Sequence, residues 1–144
     1  MDTRPRATRP LHVLVVDDDV FTLDLMRDML EMAGLAGPGC VILTESDPAR
    51  GLRTLAEQAP ELLICDLSMP GLDGIEFLNE AARQRYQGTV MLLSGMDSGV
   101  RRAAERLARA QGLDVLGAYR KPIDLAELRA AVAPFAARAL AAAE

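Results

Sequence analysis

Short apolar runs alternate along the chain with longer segments whose apolar residues recur every three or four positions. The runs, rich in valine, isoleucine and leucine, are typical of strands buried on both faces of a sheet. They predict five strands, at Leu11–Val16, Cys40–Thr44, Leu62–Cys65, Val90–Leu93 and Val115–Leu116. The longer segments predict five helices. Alternation of this kind indicates parallel strands joined by right-handed crossovers, with helices covering both faces of the sheet.

The predicted helices carry start, stop and core signals. Asp47 followed by Pro48 predicts an N-cap with proline at the first helical position. Asp124 begins a pattern that resembles a capping box. The leucines and methionines of residues 23–32 are interpreted as ordinary core, and Pro134 is expected to break or kink the last helix.

Length and composition predict one globular domain. The chain has 144 residues, of which 50% are hydrophobic and 26% charged, enough to bury a core of its own. Residues 1–10 are predicted to form a flexible N-terminal arm and residues 11–133 to form the domain. Residues 134–144 are predicted to form a helical extension or a linker stub. Two widely spaced cysteines, Cys40 and Cys65, fit a reducing cytoplasm, where we expect the protein to reside.

Charge narrows the range of partners. The net charge of −5 argues against direct nucleic-acid binding, and no apolar run is long enough to span a membrane. Of the 16 basic residues only Lys121 is a lysine. A single lysine in an arginine-rich chain suggests a position where a compact ammonium group is required.

Polar or charged residues that could take part in one reaction follow four of the five predicted strands. These are the run Asp17-Asp18-Asp19, then Asp66, Ser94 and Lys121. In the flavodoxin-like strand order 2-1-3-4-5, the carboxyl ends of these strands meet at one edge. Clustered carboxylates suit Mg²⁺, and an aspartate can act as a nucleophile toward a phosphoryl group. A lysine and a hydroxyl can neutralise the oxygens of that group.

Four segments, in order, resemble the receiver domain of bacterial two-component response regulators: VLVVDDD, CDLSMPGLDGIEFL, VMLLSG and YRKPID. The resemblance covers roughly residues 11–133. It implies that Asp66 accepts a phosphoryl group from a histidine kinase or histidine phosphotransfer protein. Self-catalysed phosphotransfer and slow autodephosphorylation would then be its only catalysis. The output would be altered binding of a downstream protein partner, a missing output domain or a second copy, through the helix 4–strand 5–helix 5 face.

The resemblance also implies roles for individual residues. Asp18 would bind Mg²⁺ directly and Asp17 through water. The implied site is completed by Asp66 and the backbone carbonyl of Ser68 as further metal ligands, Ser94 and Lys121 as phosphoryl contacts, and a cis peptide bond before Pro122.

Two features set this sequence apart from most receivers. The aromatic switch residue that usually precedes the lysine by three positions is replaced by Ala118, and Tyr119 follows it. The usual coupling of a hydroxyl movement to rotation of an aromatic ring is therefore expected to be absent or rerouted. The segment RRAAERLARAQGLDVLGAYRKPID is similar to receivers that precede cyclic-di-GMP phosphodiesterase domains.

Three other interpretations compete with a phosphorylated receiver. Asp17-x-Asp19-Val20 resembles the nucleophile motif of haloacid-dehalogenase-type phosphatases, with Ser94 and Lys121 as later motifs. No fourth acidic motif follows a strand after Lys121, which disfavours that enzyme. A receiver-like module that never uses phosphate is a second alternative. The aspartate run could also be a polar loop with Asp19 as an N-cap.

Overall fold

A computed structural model describes residues 9–68 and 74–144. The strands are β1 (Leu11–Val16), β2 (Cys40–Glu45), β3 (Leu62–Asp66), β4 (Thr89–Ser94) and β5 (Asp114–Arg120). The helices are α1 (Val20–Met32), α2 (Pro48–Gln58), α3 (Gly74–Arg83), α4 (Ser98–Ala110) and α5 (Leu125–Ala142). Residues 1–8 of the predicted arm and residues 69–73, which follow Ser68, lie outside the described residues.

The five strands form one parallel sheet in the order β2-β1-β3-β4-β5, which confirms the predicted fold class. β5 is longer than the two apolar residues that predicted it. Glycine, alanine and tyrosine follow those two residues and weaken the apolar signal, but pairing with β4 continues through Ser94 and Arg120. A register shift at Val90 and Met91 is accommodated within this pair.

Side chains on the two faces of the sheet form two separate cores. One core lies between the sheet and the helices α1 and α5, and the other between the sheet and α2, α3 and α4. Successive residues of a strand point to opposite faces, so each buried strand supplies both cores. No helix in the described part of the chain combines the length and the apolar character needed to cross a bilayer.

Helix α1 carries apolar side chains on its buried side and also on its exposed side. Leu23, Met26 and Leu30 are buried in the core, as their spacing predicts. Leu25 and Met32 are 56% and 55% exposed, so the assignment of every leucine and methionine in residues 23–32 to the core is wrong. Both lie off the buried face of the helix, because the helical period directs them away from it.

Helix α5 runs through Pro134 without interruption. Of the break or kink expected there, the break is not present, because the helix continues to Ala142. Beyond the proline, Phe135 and Ala139 are 5% and 1% exposed and belong to the core beside α1. A Cβ atom placed on Gly39 would lie 1.8 Å from the carbonyl oxygen of Ala139. The loop after α1 therefore packs directly against the backbone of the last turns of α5.

A partly buried ion pair lies at the amino-terminal end of the sheet. A terminal nitrogen of Arg9 lies 3.0 Å from Oε1 of Glu61, a residue that is 8% exposed. The same nitrogen donates to the carbonyl oxygens of Gln58 and Ala59. Arg9 thereby ties the entry to β1 to the loop that leads into β3.

Candidate functional site

The loop after β1 places three carboxylates on three consecutive residues. Asp19 is the N-cap of α1, and its carboxylate accepts the Phe21 N–H at 3.0 Å. Asp17 lies between the strand and this cap, is 2% exposed, and accepts the Asp19 N–H at 2.9 Å. Asp18 is exposed. The N-cap role expected for Asp19 leaves Asp17 and Asp18 available for other chemistry.

Asp66 is the last residue of β3 and is 3% exposed. Its Oδ1 accepts the Ser68 N–H at 3.0 Å. Burial raises the pKa of Asp66 above its ordinary value, and the charge of Asp17 adds to this, while the Ser68 hydrogen bond and Lys121 act in the opposite direction. The carboxylate is thus held in a fixed orientation inside a small, poorly solvated site.

Gly74 allows α3 to begin directly against the strand that bears Asp66. A Cβ atom there would lie 2.3 Å from Cα of Leu67 and 2.6 Å from the carbonyl oxygen of Asp66. Only glycine permits this approach of backbone to backbone.

Lys121 follows the last strand and joins the carboxylates across the sheet edge. Its Nζ lies 2.8 Å from Oδ2 of Asp17 and 3.3 Å from Oδ2 of Asp66. Burial alone would lower the pKa of Lys121, but the hydrogen bonds and charges of the two aspartates outweigh burial and raise it. The ammonium group therefore stays charged at neutral pH. The peptide bond between Lys121 and Pro122 is cis.

Ser94 ends β4 and lies beside Asp66, because Asp66 pairs with Leu93 in the register of β3 and β4. It is fully buried. Its hydroxyl oxygen accepts the Met96 N–H at 2.9 Å, which leaves the hydroxyl proton available for a second contact. In the part of the chain that the structure describes, this hydroxyl makes no hydrogen bond to Asp66.

The site residues predicted at four strand ends thus converge on one edge of the sheet. Side-chain oxygens of Asp17, Asp18 and Asp66 all lie within 4.8 Å of one another. Three carboxylates this close repel each other unless cations lie among them, and Lys121 supplies one positive charge. Oxygen donors of this number and type fit Mg²⁺.

Most receivers carry an aromatic side chain at the position of residue 118. Here residue 118 is alanine, and its backbone makes the contact with α4. The backbone N–H of Ala118 donates to Oε1 of Glu105 at 3.1 Å. Its methyl group packs in the core beneath α2, α3 and α4, whereas Tyr119 packs in the opposite core, beside α5. Tyr119 therefore does not replace the missing aromatic ring next to α4, and Glu105 adds a hydrogen bond to the apolar packing of α4 against β5. A tertiary hydrogen bond to a backbone N–H leaves no signal in the sequence.

A second feature that the sequence reasoning missed lies beside the aspartates. Phe21, in the first turn of α1, is 83% exposed, and Val20 is 57% exposed. Together with Leu25 they form an apolar surface next to the carboxylates. A helical plot of residues 20–32 separates them from the buried residues of α1, so this signal was present in the sequence.

Comparison with known proteins gives one family. Residues 13–133 match the family model described as the response regulator receiver domain. A protein-glutamate methylesterase/protein-glutamine glutaminase of Symbiobacterium thermophilum is 33% identical over 117 residues, which is 81% of this chain and 30% of that protein. The chain thus spans about a third of the methylesterases it matches.

Solved structures agree with this family. A response regulator from Colwellia psychrerythraea is 33% identical with a TM-score of 0.75, over 89% of this chain and 98% of that one. A receiver domain protein from Clostridium thermocellum is 27% identical with a TM-score of 0.70, over 89% and 95%. The phosphatase alternative that would use Asp17 as nucleophile is not supported by any of these matches. The chain belongs to the response regulator receiver domain family, whose members are phosphorylation-based signalling switches.

Proposed function

We propose that this chain accepts a phosphoryl group on Asp66 from a histidine-bearing donor, either a histidine kinase or a histidine phosphotransfer protein. The observation that carries the proposal is the position of the Asp66 carboxylate, 3.3 Å from the Lys121 ammonium and beside two further aspartates. This arrangement combines a nucleophile with the positive charge that a transferred phosphoryl group requires.

The proposed reaction forms a bond between a carboxylate oxygen of Asp66 and phosphorus, and breaks the bond between phosphorus and the donor's imidazole nitrogen. The imidazole leaves with the electron pair and takes up a proton. Lys121 offsets the negative charge of the phosphoryl oxygens, and the free proton of the Ser94 hydroxyl is available to one of them. The residues position and neutralise the group, so the only catalysis is phosphotransfer to Asp66 and slow hydrolysis of the resulting acyl phosphate, in which water bonds to phosphorus and the Asp66 carboxylate leaves.

The acidic cluster is suited to hold Mg²⁺. We assign Asp17, Asp18 and Asp66 as side-chain ligands, or ligands through water, and the carbonyl group of Ser68 as a further ligand. When bound, the ion would neutralise charge on the phosphoryl oxygens and on the carboxylates.

The experiment that tests the proposal locates the modified residue chemically. The protein is incubated with a small phosphodonor and Mg²⁺, and the acyl phosphate is trapped by borohydride, which converts the modified aspartate to homoserine. Peptide mass spectrometry should find homoserine at position 66. Homoserine at position 17, or no conversion at all, would refute the assignment.

The apolar surface formed by Val20, Phe21 and Leu25 is the proposed contact for the phosphoryl donor. It adjoins the aspartates, and its most prominent member, Phe21, is 83% exposed. Exposed aromatic residues beside a reactive group are typical anchors of protein contacts.

The two free cysteines fit a reducing compartment, and we propose the cytoplasm as the location where the donor and this chain meet.

Replacing Phe21 with alanine should slow phosphotransfer from the cognate kinase by about tenfold or more, because an exposed aromatic anchor contributes roughly 2 kcal/mol to a protein contact. Phosphorylation by a small phosphodonor should not change. The two rates are measured with purified kinase and with acetyl phosphate. Leu140→Ala, an exposed apolar residue on α5, is the control. Equal slowing with both donors would contradict a role in docking.

Replacing Lys121 with arginine should leave the fold intact but impair switching. Arginine keeps the charge, but its planar fork cannot place one nitrogen 2.8 Å and 3.3 Å from the two aspartates in the way an ammonium does. We expect the melting temperature to stay within a few degrees and partner binding after phosphorylation to fall about tenfold. Arg120→Lys on the neighbouring exposed residue is the control. Normal switching by Lys121→Arg would show that the shape of the cation does not matter.

A further inference from the structure

A cavity lies at the amino-terminal end of the sheet, opposite the edge that carries Asp66. It has a volume of about 570 Å³ and is bordered by the end of α2, the loop that leads into β3, the loop between α3 and β4, and α5. Leu55, Ala59 and Pro60 give it an apolar wall. A cavity of this size can hold a small organic molecule. Such a molecule would bind away from the phosphorylation site.

One residue that borders the cavity occupies a position where glycine is preferred. Helices α1, α3 and α4 end in the same way: a residue with positive φ and the residue after it donate backbone hydrogen bonds to carbonyl groups of the last turn. That residue is Gly34 after α1 and Gly112 after α4, with φ of 102° and 92°, but it is Arg85 after α3, with φ of 59°. A side chain in this left-handed conformation costs free energy that glycine does not. The cost points to a use for the side chain of Arg85.

Four groups that can bind an anion border the cavity. Arg85 and Arg138 are exposed, and within residues 9–68 and 74–144 neither forms an ion pair. The backbone N–H groups of Gln87 and Gly88 donate no hydrogen bond to any described residue. Guanidinium groups and free backbone N–H groups are the donors with which proteins bind phosphate oxygens.

The negative charge near the cavity is already neutralised. Among the described residues that line it, only Glu61 is acidic, and Arg9 pairs with Glu61 at 3.0 Å. Arg9 also binds the carbonyl oxygens of Gln58 and Ala59 at the end of α2, where the partial negative charge of the helix would otherwise repel an anion. The lining therefore keeps the positive charge of two arginines, although the chain as a whole has a net charge of −5.

We propose that this cavity binds a nucleoside diphosphate, with the phosphates at Arg85 and Arg138 and the base against the apolar wall. Two guanidinium groups match two phosphates, and an apolar wall stabilises a ligand that is larger than an inorganic anion. The volume is sufficient for a ligand of this size. Because the cavity lies at the opposite end of the sheet, the proposal goes beyond phosphorylation of Asp66 and does not depend on it.

The first experiment measures binding of ADP to the full chain by isothermal titration calorimetry. EDTA is present, so that no divalent cation links ADP to the aspartates. Adenosine and pyrophosphate each carry one half of the ligand, and we expect ADP to bind more tightly than either by about tenfold or more. Arg138→Glu should weaken ADP binding by about tenfold. Arg53→Glu, an exposed arginine on α2 outside the cavity, should not change it.

A second variant separates a ligand contact from a structural role. Arg85→Gly removes the cost of the left-handed conformation, so the midpoint of urea unfolding should rise. It also removes a guanidinium group from the cavity, so ADP binding should weaken by about tenfold. A side chain with a purely structural role would not produce a more stable protein that binds ADP less well.

Four results would overturn the proposal. These are no saturable binding of ADP, equal affinity for ADP and pyrophosphate, no effect of Arg138→Glu and Arg85→Gly on binding, or an equal effect of Arg53→Glu. Asp66→Asn tests the position of the site. Loss of ADP binding in that variant would assign ADP to the acidic cluster, whereas unchanged binding is expected from the cavity. Phosphorylation of Asp66 is measured separately, so its failure would refute the proposed function and leave the cavity site intact.

Discussion

Asp66→Asn should abolish phosphorylation and should not destabilise the fold. Asparagine keeps the size and the hydrogen bond to the Ser68 N–H, but its amide is not a nucleophile toward phosphorus. No shifted species should form on a phosphate-affinity gel with a small phosphodonor and Mg²⁺. Asp28→Asn, on the exposed side of α1, removes a carboxylate outside the cluster and should be phosphorylated normally.

The same substitution should raise stability at neutral pH. The pKa of Asp66 is raised by burial and by Asp17, so its ionised form is less favourable in the folded protein than in the unfolded chain. That penalty is present when the carboxylate is ionised in both states, and it disappears as the pH falls below the unfolded pKa. Urea unfolding should therefore show Asp66→Asn more stable than the wild type near pH 7, with the difference closing under acidic conditions. A variant less stable than the wild type at pH 7 would contradict this account.

Deletion of residues 134–144 should unfold the domain or leave it only marginally stable. The deletion removes Phe135 and Ala139 from the core beside α1, where they are 5% and 1% exposed. Loss of a buried phenylalanine alone costs about 3–5 kcal/mol, and small domains are stable by only about 5–15 kcal/mol. The midpoint of urea unfolding should fall sharply, and Phe135→Ala should reproduce a large part of the loss.

A shorter deletion provides the matched control. Residues 141–144 are exposed or half-buried at the end of α5, so their removal should shift the midpoint little. An unchanged midpoint after removal of residues 134–144 would contradict the prediction. It would mean that this segment, including the packing of Ala139 against Gly39, contributes nothing to the stability of the domain.

The sequence predicted the sheet and the approach of the site residues for a simple physical reason. Valine-rich runs buried on both faces alternate with amphipathic helices, and parallel strands place all their carboxyl ends at one edge. Asp66 and Lys121 are 55 positions apart in the numbering of the chain, yet the strand order alone brings them to the same edge. The close approach of the Lys121 ammonium to two aspartates follows from that topology.

Features that depend on packing between elements could not be predicted in the same way. Pro134 has a strong local signal as a helix breaker, but burial of Phe135 and Ala139 keeps α5 continuous on both sides of it. Leu25 has an apolar side chain of the kind found in cores, but its position on the helix places that side chain on the exposed side of α1. The contact of Glu105 with β5 depends on how α4 docks, which no local pattern encodes.

The hydrogen bond from the Ala118 N–H to Glu105 has a consequence for association between chains. β5 lies at the edge of the sheet, and unpaired N–H groups on an edge strand are templates on which another strand can pair. Glu105 covers one of them and places a negative charge along the edge. Displacement of α4 away from β5 would uncover that donor and leave this position of the edge open to pairing with a foreign strand. The contact of Glu105 with Ala118 therefore protects one position of the edge strand against β-augmentation.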